Sequence, residues 1–417
     1  MAEPPTYPLR CICLSQESFM MYHYHVAVEW DMQLRFTDDV FAPENTCLLD
    51  LLERDPTRGV RCLVFIDQGL AQADPALPER IHHWFAQHED HGVHLAAVPQ
   101  MVDGGEQAKD GLAVAEQVGR CCLEHHICRH SYILILGGGA VLDAVGLGAS
   151  LVHRGIRQIR LPSTVLAQDD AGLGVKNGVN AFGNKNFFGT FQPPWAIVND
   201  ARFLRLCHPR ERRSGLAEAV KVSLIKDADF FSWLAGHARH LLDEHAPHLL
   251  EEAVQRCAHL HLQHITSSGD PFEHGSSRPL DFGHWSAHYL EVLSQHRLNH
   301  GEAVAIGLAW DCCYAEAINR LSAAECEAVI ESLHDMGFAL WDPVLNLRDA
   351  QGERLVYQGL EQFREHLGGN LTLAMPDGIG RRRDIHSYQR NTGEWALNRL
   401  RQLQTRLCRT QATGPCS

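Results

Sequence analysis

The stretch YILILGGGAVLDAVG, residues 132–146, is the part of the chain that best indicates its fold. A strand-like run of five residues leads into three consecutive glycines, and a helix-like segment that contains Asp143 follows them. Glycines at a strand-to-helix turn let the backbone approach a phosphate group, and the helix N-terminus stabilises negative charge there. The turn lacks the GxGxxG fingerprint, so a tight structural turn explains it as well as a nucleotide site does.

Strand-like and helix-like runs alternate on both sides of this turn. The strand-like runs are residues 62–66, 93–98, 132–136, 155–161 and 195–198, and the helix-like runs are residues 78–88 and 111–125. Such alternation is typical of α/β proteins with a parallel sheet. Near the start of the chain, residues 22–36 alternate in a way that predicts a strand pair or hairpin.

From about residue 203 the pattern changes to long helical runs. These runs are residues 214–227, 247–265, 284–296, 301–321 and 323–336. A chain of 417 residues is long for a single core, so two domains are expected. We predict an α/β domain over residues 1–202 and a mostly α-helical domain over residues 203–417. The polar tail from Thr405 is expected to be frayed.

The composition excludes several classes of function. The 37 basic and 51 acidic residues give a net charge of −14, so nucleic acid is not expected as a partner, and an anionic substrate needs a local basic pocket. No apolar run approaches the ~20 residues that span a membrane. The 14 cysteines form no zinc-ribbon pattern and follow no signal peptide, which indicates reduced thiols in a cytoplasmic protein.

The segment of residues 154–194 is rich in glycine and supplies such a pocket. Small residues let a backbone approach a ligand, and lysine and arginine side chains bind phosphate. A solvated loop is the alternative interpretation. The polar residues of this segment that stand out are Arg154, Asp170, Lys176, Asn177, Lys185 and Asn186.

Acidic residues near two strand ends are further candidates. Asp67 follows a strand-like run and is placed to accept a hydrogen bond from a ribose hydroxyl. Glu106 and Lys109 stand in the segment GGEQAK. For Asp67 and Glu106, an ordinary surface position is the alternative.

Three helix-associated motifs predict a metal site. Glu218 in SGLAEAVK lies on an otherwise apolar helix face, where a carboxylate without a partner is costly. DFGHWSAHYLE places His284 and His288 four residues apart on one helix face, and LNHGEAVAIG contains His300. One carboxylate and two imidazoles with an open position form a catalytic zinc set.

Six motifs together resemble one family. GGGAVLDAVG, RLPSTVLAQDDAGLGVKNGVN, GNKNFFGTFQPP, SGLAEAVK, DFGHWSAHYLE and HGEAVAIG resemble the 3-dehydroquinate synthase superfamily of sugar-phosphate cyclases, in its order and spacing, over roughly residues 60–390. The resemblance implies a Rossmann-like N-terminal domain, a helical C-terminal domain and a homodimer. It also implies NAD and one divalent metal, zinc or cobalt, held by Glu218, His284 and His300.

The same resemblance assigns roles to individual positions. Lys176, Asn186 and Lys221 match substrate positions, and Arg154 matches an arginine that reaches the phosphate site of the neighbouring subunit. Either Arg364 or His366 stands in for a C-terminal phosphate-binding lysine. The positions that match NAD contacts are Asp67, Glu106, Lys109, Gly138, Gly139, Asp143, Ser163, Thr164, Asp170, Lys185 and Glu211.

The departures from the family pattern bear on the substrate. The family's substrate arginine is Ser277 here, with Arg278 one position later, and its asparagine is Asp281. Its upstream lysine is Gln263, beside His264. The pocket thereby loses a positive charge and gains a negative one, so a substrate carboxylate would be repelled.

These departures favour a cyclase that acts on sedoheptulose 7-phosphate, which carries a hydroxymethyl group at that end. The expected product is a valiolone-type cyclitol, formed with phosphate release, and the retained His288 favours 2-epi-valiolone over 2-epi-5-epi-valiolone. The alternatives are a 3-dehydroquinate synthase proper, an iron-type polyol or glycerol-phosphate dehydrogenase, and a catalytically silent binding subunit. The residues expected to carry the chemistry are Lys176, Lys221, His288, Asp281, Asn186 and Arg278.

Overall fold

The structure is a computed structural model that describes residues 22–267, Phe272 and residues 278–412. The strands are β1 (Gln33–Thr37), β2 (Val60–Asp67), β3 (Val93–Leu95), β4 (Gln100–Val102), β5 (Tyr132–Gly137), β6 (Arg157–Pro162), β7 (Lys176–Ala181), β8 (Asn184–Phe191), β9 (Ala196–Asp200), β10 (Leu373–Pro376) and β11 (Arg382–Ile385). The helices are α1 (Gln68–Ala73), α2 (Leu77–Gln87), α3 (Ala113–Glu124), α4 (Gly139–Leu151), α5 (Ala201–Leu206), α6 (Pro209–Lys226), α7 (Ala228–His237), α8 (Pro247–Ser267), α9 (His284–Leu293), α10 (His300–Ala317), α11 (Ala323–Asp335), α12 (Gln358–His366) and α13 (Arg390–Ala412).

Seven strands form a parallel sheet in the order β1-β9-β6-β5-β2-β3, and β4 also pairs with β2. The chain moves outward from β2 to β3 and β4 on one side, and from β5 to β6 and β9 on the other. The strand order therefore reverses between β2 and β5. Ligands of such sheets bind beyond the carboxyl ends of the strands at this reversal. Asp67 and Gly137 end the two strands there, so the fold places the glycine turn at the expected binding edge.

Both faces of the sheet are covered, as the alternation of side chains along β5 shows. Leu134 and Leu136 belong to a buried cluster that includes Trp84 of α2. Ile133 and Ile135 belong to another cluster, with side chains from α3 and α4. All five strand-like residues that open the quoted stretch are fully buried, and burying a large aliphatic side chain contributes about 1.5–3 kcal/mol. The α/β prediction for this part of the chain is confirmed.

A third buried cluster joins the helices that follow the sheet. Helix α10 lies at its centre and packs against α6, α9, α11 and α13, and it is apolar and buried along most of its length. Gly301 lets its first turn approach α6 closely, because a Cβ atom there would lie 2.1 Å from the carbonyl oxygen of Ser214. This close approach fixes the start of α10, where His300 stands.

Three sequence expectations about secondary structure are wrong. Residues 22–36 do not form a hairpin, because only β1 forms and it pairs in parallel with the distant β9. Beyond the expected strand of residues 155–161, much of the predicted binding loop is ordered as an antiparallel hairpin of β7 and β8. The tail continues as α13 to Ala412, with Leu407 packed against the helical cluster, and residues 413–417 lie outside the described residues.

The predicted domain boundary after residue 202 falls inside α5. Phe203 packs with the sheet cluster and Leu204 with the helical cluster, so the exact boundary stays a prediction. The cysteines in the described residues have free thiols, and most of them are buried. Within the same residues, no helix combines the length and apolar character that crossing a membrane requires.

Candidate active site

Three side chains converge where α6, α9 and α10 meet. Oε1 of Glu218 lies 3.7 Å from Nε2 of His284 and 3.6 Å from Nε2 of His300. Glu218 is completely buried and His284 nearly so. These separations are too long for good hydrogen bonds. They suit ligands around one ion, which lie about 3.3 Å apart in a tetrahedral zinc site. The structure therefore brings together the three predicted metal ligands, and we call this group of three the metal cluster.

Both histidines present the same ring atom to this cluster. Nδ1 of His284 lies 3.0 Å from the carbonyl oxygen of Phe282, and Nδ1 of His300 lies 3.0 Å from Oε1 of Glu291. Each Nδ1 position is thus engaged outside the cluster, and each Nε2 position faces inward. A metal-binding histidine is typically oriented in this way by an acceptor on its other nitrogen.

The charge of the cluster favours a bound cation. Burial lowers the pKa of His284 well below its usual value, and Lys221 lowers it further, so this ring is neutral. Burial also lowers the pKa of His300, but its contacts with Glu218 and Glu291 outweigh that effect and raise it to about 10. The carboxylates around His300 carry excess negative charge, which either a proton on His300 or a metal ion neutralises. The donor set fits a divalent metal.

A buried lysine lies beside the cluster. Lys221 forms an ion pair with Glu218, one helical turn away, and its Nζ lies 3.9 Å from Oδ2 of Asp170. Burial alone would lower the pKa of Lys221, but Glu218 and Asp170, and more weakly Asp281, raise it. Burial would raise the pKa of Asp170, but Lys221 and His261 hold it well below its usual value. Lys221 is therefore a fixed cation at neutral pH.

The glycine turn forms a cradle at the strand ends. The backbone N–H of Ser163 donates to the carbonyl oxygen of Gly137 at 2.9 Å, which ties β6 to β5. A Cβ atom on Gly137 would lie 2.8 Å from Cβ of Val141, so a larger residue does not fit. Gly138 precedes the first turn of α4, and no side chain caps the amides of that turn. These amides suit a pyrophosphate group.

Predicted cofactor residues surround this cradle. Asp67 accepts a hydrogen bond from the backbone of Gly69 at 2.7 Å at the start of α1, and Oγ1 of Thr164 accepts one from Ala167 at 3.2 Å. Nζ of Lys109 donates to Asp143 at 2.6 Å.

Two other predicted cofactor residues lie closer to the metal cluster. Asp170 contacts the buried Lys221, and Glu211 accepts a hydrogen bond at 3.3 Å from Asn299, the residue before His300. The cofactor roles of both stay predictions.

The hairpin of β7 and β8 carries three predicted residues. Lys176 begins β7, and Asn186 lies on β8 with its backbone N–H bonded to Asn180 at 2.9 Å. Lys185 lies 2.9 Å from Glu291 and 3.9 Å from Glu106. Lys176, Lys185 and Asn186 are exposed, so the hairpin presents polar groups to an entering ligand.

The predicted substrate residues of the helical part differ in their exposure and in the groups that they contact. Asp281 ends a short turn that begins after Arg278, and its charge acts on Lys221. His288 is exposed, and its ring centre lies 5.3 Å from that of His284. Gln263 is exposed on α8, whereas His261 faces inward and places Nδ1 3.0 Å from Oδ1 of Asp170.

The other predicted phosphate residues are exposed or contact groups outside the cluster of predicted metal ligands. Nδ1 of His264 lies 2.9 Å from Nζ of Lys226, and burial together with Lys226 lowers the pKa of His264 to about 4. Arg154 is exposed in a turn with a φ of 65°. Arg364 is also exposed and pairs with Glu361 on its own helix at 2.6 Å. Ser277 and the side chain of His366 lie outside the described residues.

Three residues at the site were not identified from the sequence. Glu291 contacts His300, and His261 contacts Asp170. Asp169 is fully buried in a π-helical turn with neither carboxylate oxygen hydrogen-bonded, and burial, with Glu218 nearby, raises its pKa well above the usual value. The seven-residue spacing from His284 to Glu291 was a usable signal, because it equals two helical turns.

Comparison with known proteins supports the family resemblance. Residues 99–214 match the model of the 3-dehydroquinate synthase N-terminal region, and residues 215–353 match that of the 3-dehydroquinate synthase C-terminal region. The chain therefore belongs to the 3-dehydroquinate synthase family.

Individual relatives include two kinds of cyclase. A 2-epi-5-epi-valiolone synthase from Streptomyces glaucescens is 33% identical over 83% of this chain and 84% of its own length. A 3-dehydroquinate synthase from Dichelobacter nodosus is 34% identical over 67% of this chain and 73% of its own length. A solved structure of ValA, the 2-epi-5-epi-valiolone synthase of Streptomyces hygroscopicus subsp. jinggangensis with NAD+ and Zn2+ bound, has a TM-score of 0.79 and 28% identity, and covers 91% of this chain and 99% of its own. This likeness confirms the predicted fold.

Proposed function

We propose that this protein is an NAD- and metal-dependent cyclase that converts sedoheptulose 7-phosphate into a valiolone-type cyclitol with release of phosphate. The observation that carries the proposal is the position of Asp281, which ends a short turn packed against α6, the helix that carries the buried Lys221. A substrate carboxylate at this place would meet an anion, whereas a hydroxymethyl group donates a hydrogen bond to one. The 2-epi-5-epi-valiolone synthases among the relatives support the same substrate class.

The donor sets fit the two groups that such a reaction requires. The cradle of Gly138, Asp67 and Thr164 suits NAD, and Glu218, His284 and His300 suit zinc or cobalt. When bound, NAD supplies a hydride acceptor that later returns the hydride, and the metal supplies a Lewis acid. The net reaction is redox-neutral: phosphate leaves and a carbon–carbon bond closes the ring, so the enzyme is a phosphate-eliminating lyase.

The remaining roles follow from the charges at the site. Lys221 is a buried cation and offsets negative charge that develops on a substrate oxygen. His288 is exposed beside His284 and is placed to hold or release a proton at its imidazole. Lys176 and Asn186, with either Arg364 or His366, are assigned to phosphate binding.

Arg154 supports a homodimer. It stands in an exposed turn, where it is free to reach the phosphate site of a second subunit. Light scattering of the purified protein tests the dimer.

A cytoplasmic location accords with the free, mostly buried thiols of the described cysteines.

The substrate assignment is tested by comparing two seven-carbon phosphates. We expect kcat/KM for sedoheptulose 7-phosphate to exceed that for the 2-keto-3-deoxy acid phosphate used by 3-dehydroquinate synthases by more than about a hundredfold, or about 2.7 kcal/mol. Asp281→Asn should narrow this ratio by raising activity on the acid, because it removes the repulsion. Equal or better use of the acid by the unaltered enzyme would return the protein to 3-dehydroquinate synthesis.

The stereochemistry of the product separates two candidates. His288 favours 2-epi-valiolone, whereas the relatives named above are 2-epi-5-epi-valiolone synthases. Nuclear magnetic resonance of the isolated cyclitol distinguishes the two epimers directly. A 2-epi-5-epi product would show that a histidine at position 288 does not determine the configuration.

A further inference from the structure

Glu291 is a buried carboxylate that lies between the metal cluster and the hairpin of β7 and β8. Its side chain is 7% exposed, and each of its oxygens has a different partner. Oε1 lies 3.0 Å from Nδ1 of His300, and Oε2 lies 2.9 Å from Nζ of Lys185. One anion therefore holds a group from α10 and a group from β8 at the same time.

The contact with His300 determines which nitrogen of that ring is available. Because Nδ1 donates its hydrogen to Glu291, Nε2 is left to face Glu218 at 3.6 Å. The acceptor also limits rotation of the ring about its side-chain bonds. An acceptor of this kind typically contributes 10–100-fold to metal affinity.

The contact with Lys185 connects Glu291 to the hairpin of β7 and β8. Lys185 stands on β8, whose residues are almost all exposed, so few packing contacts hold this strand. The same lysine lies 3.9 Å from Glu106, which accepts a hydrogen bond at 2.8 Å from Asn180 of β7. The buried partner that anchors Lys185 is Glu291.

We propose that Glu291 is a positioning residue that orients His300 for the metal and couples metal binding to the placement of the hairpin. The inference rests on the proposed function, since it assumes a metal held by Glu218, His284 and His300. Once the metal fixes His300, Glu291 is fixed as well, and its second oxygen holds Lys185. The coupling is reciprocal, so holding the hairpin in place strengthens metal binding. The hairpin also carries Lys176 and Asn186, so the loaded site is the one that presents the phosphate-binding residues.

A different role for Glu291 is testable in the same experiment. His288, Glu291 and His300 also place one donor atom each within 4.8 Å of one another, which is compatible with a second metal. The contacts with His300 and Lys185 argue against that role, because together they engage both oxygens of Glu291. Two bound metal ions per chain would overturn the positioning role.

The test uses the full chain with Glu291→Gln, which keeps an oxygen for Nδ1 of His300 and removes the charge. Glu361→Gln is the matched control, because Glu361 forms an exposed ion pair within α12. Zinc affinity is measured by competition with a chelator, His300 coordination by the visible spectrum of the cobalt-loaded protein, and the hairpin by hydrogen exchange of residues 176–191 with and without zinc.

We expect Glu291→Gln to weaken zinc binding by about 10–100-fold, to alter the cobalt spectrum and to abolish the zinc-dependent slowing of exchange in the hairpin. Lys185→Met should keep the cobalt spectrum and lose the slowing, because it breaks only the second contact. Unchanged zinc affinity in folded Glu291→Gln would overturn the inference and leave the proposed function standing. Failure of the unaltered protein to bind zinc or cobalt would overturn the proposed function itself.

Discussion

Asp311 provides a test of how burial governs ionisation in the helical core. The residue lies on α10 and is 1% exposed. Its Oδ1 accepts a hydrogen bond at 2.9 Å from Nε1 of Trp285, the residue after the predicted metal ligand His284. Burial raises the pKa of Asp311 to about 7, although the hydrogen bonds from Trp285 and the backbone of Gly283 lower it. The carboxyl group is therefore protonated in the folded protein at mildly acidic pH.

The sign of the effect on stability follows from proton binding. An aspartate in the unfolded chain has a pKa of about 3.9, so the folded state binds the proton more tightly. This group therefore favours folding most strongly at low pH, and its contribution declines as the pH rises from about 4 to about 7. A difference of about 3 pKa units corresponds to about 4 kcal/mol. Asp311→Asn keeps an acceptor for Trp285 and cannot ionise, so we expect it to stabilise the protein at pH 8 by about 2–4 kcal/mol.

The assay is urea unfolding of both proteins at pH 5 and pH 8, followed by tryptophan fluorescence. The free-energy difference between the variant and the unaltered protein is compared at the two pH values, because other ionisable groups then cancel. We expect the variant to gain relative stability between pH 5 and pH 8. An equal difference at both pH values would show that Asp311 does not change its charge in this range, and the reasoning from burial would be refuted.

Three further predictions concern the site and its support. Glu218→Gln, His284→Ala and His300→Ala should each abolish turnover and bound metal while the circular dichroism spectrum stays native; full activity after chelation would contradict this. NAD should be needed only in catalytic amounts, and growth of the NADH absorbance in step with product would instead support a dehydrogenase. Gly301→Ala should lower the free energy of unfolding by about 1–3 kcal/mol, because its Cβ atom meets the backbone of Ser214; an unchanged urea midpoint would contradict the close packing.

The grouping of Glu218, His284 and His300 could be predicted because its signals are local. Glu218 interrupts an apolar helix face, and His284 and His300 stand at helix starts within recognisable motifs. The glycine turn could be predicted for the same reason, since a buried strand leads directly into it. Each of these features depends on residues within one or two turns of chain.

The remaining features depend on contacts between distant segments. His261, rather than Gln263, approaches Asp170 because of the face that α8 turns toward residues 167–171, and the sequence of α8 does not specify that face. The hairpin of β7 and β8 is rich in glycine and polar residues, so its strands lack an apolar pattern. The two contacts of Glu291 form only where α9, α10 and β8 meet.

The pairing of β1 with β9 has a consequence for synthesis on the ribosome. Among the described strands, β1 pairs only with β9, and the backbone N–H of Val40, just after β1, donates to Asp200 at the end of β9, 160 residues later. This edge strand therefore has no partner in the sheet until β9 has been made. At roughly 5–20 residues per second, this interval lasts on the order of 10 s. During that time β1 is unpaired in the sheet and open to association with other nascent chains. Chaperone dependence during expression should therefore fall if β1 is weakened, and rise if translation between β1 and β9 is slowed.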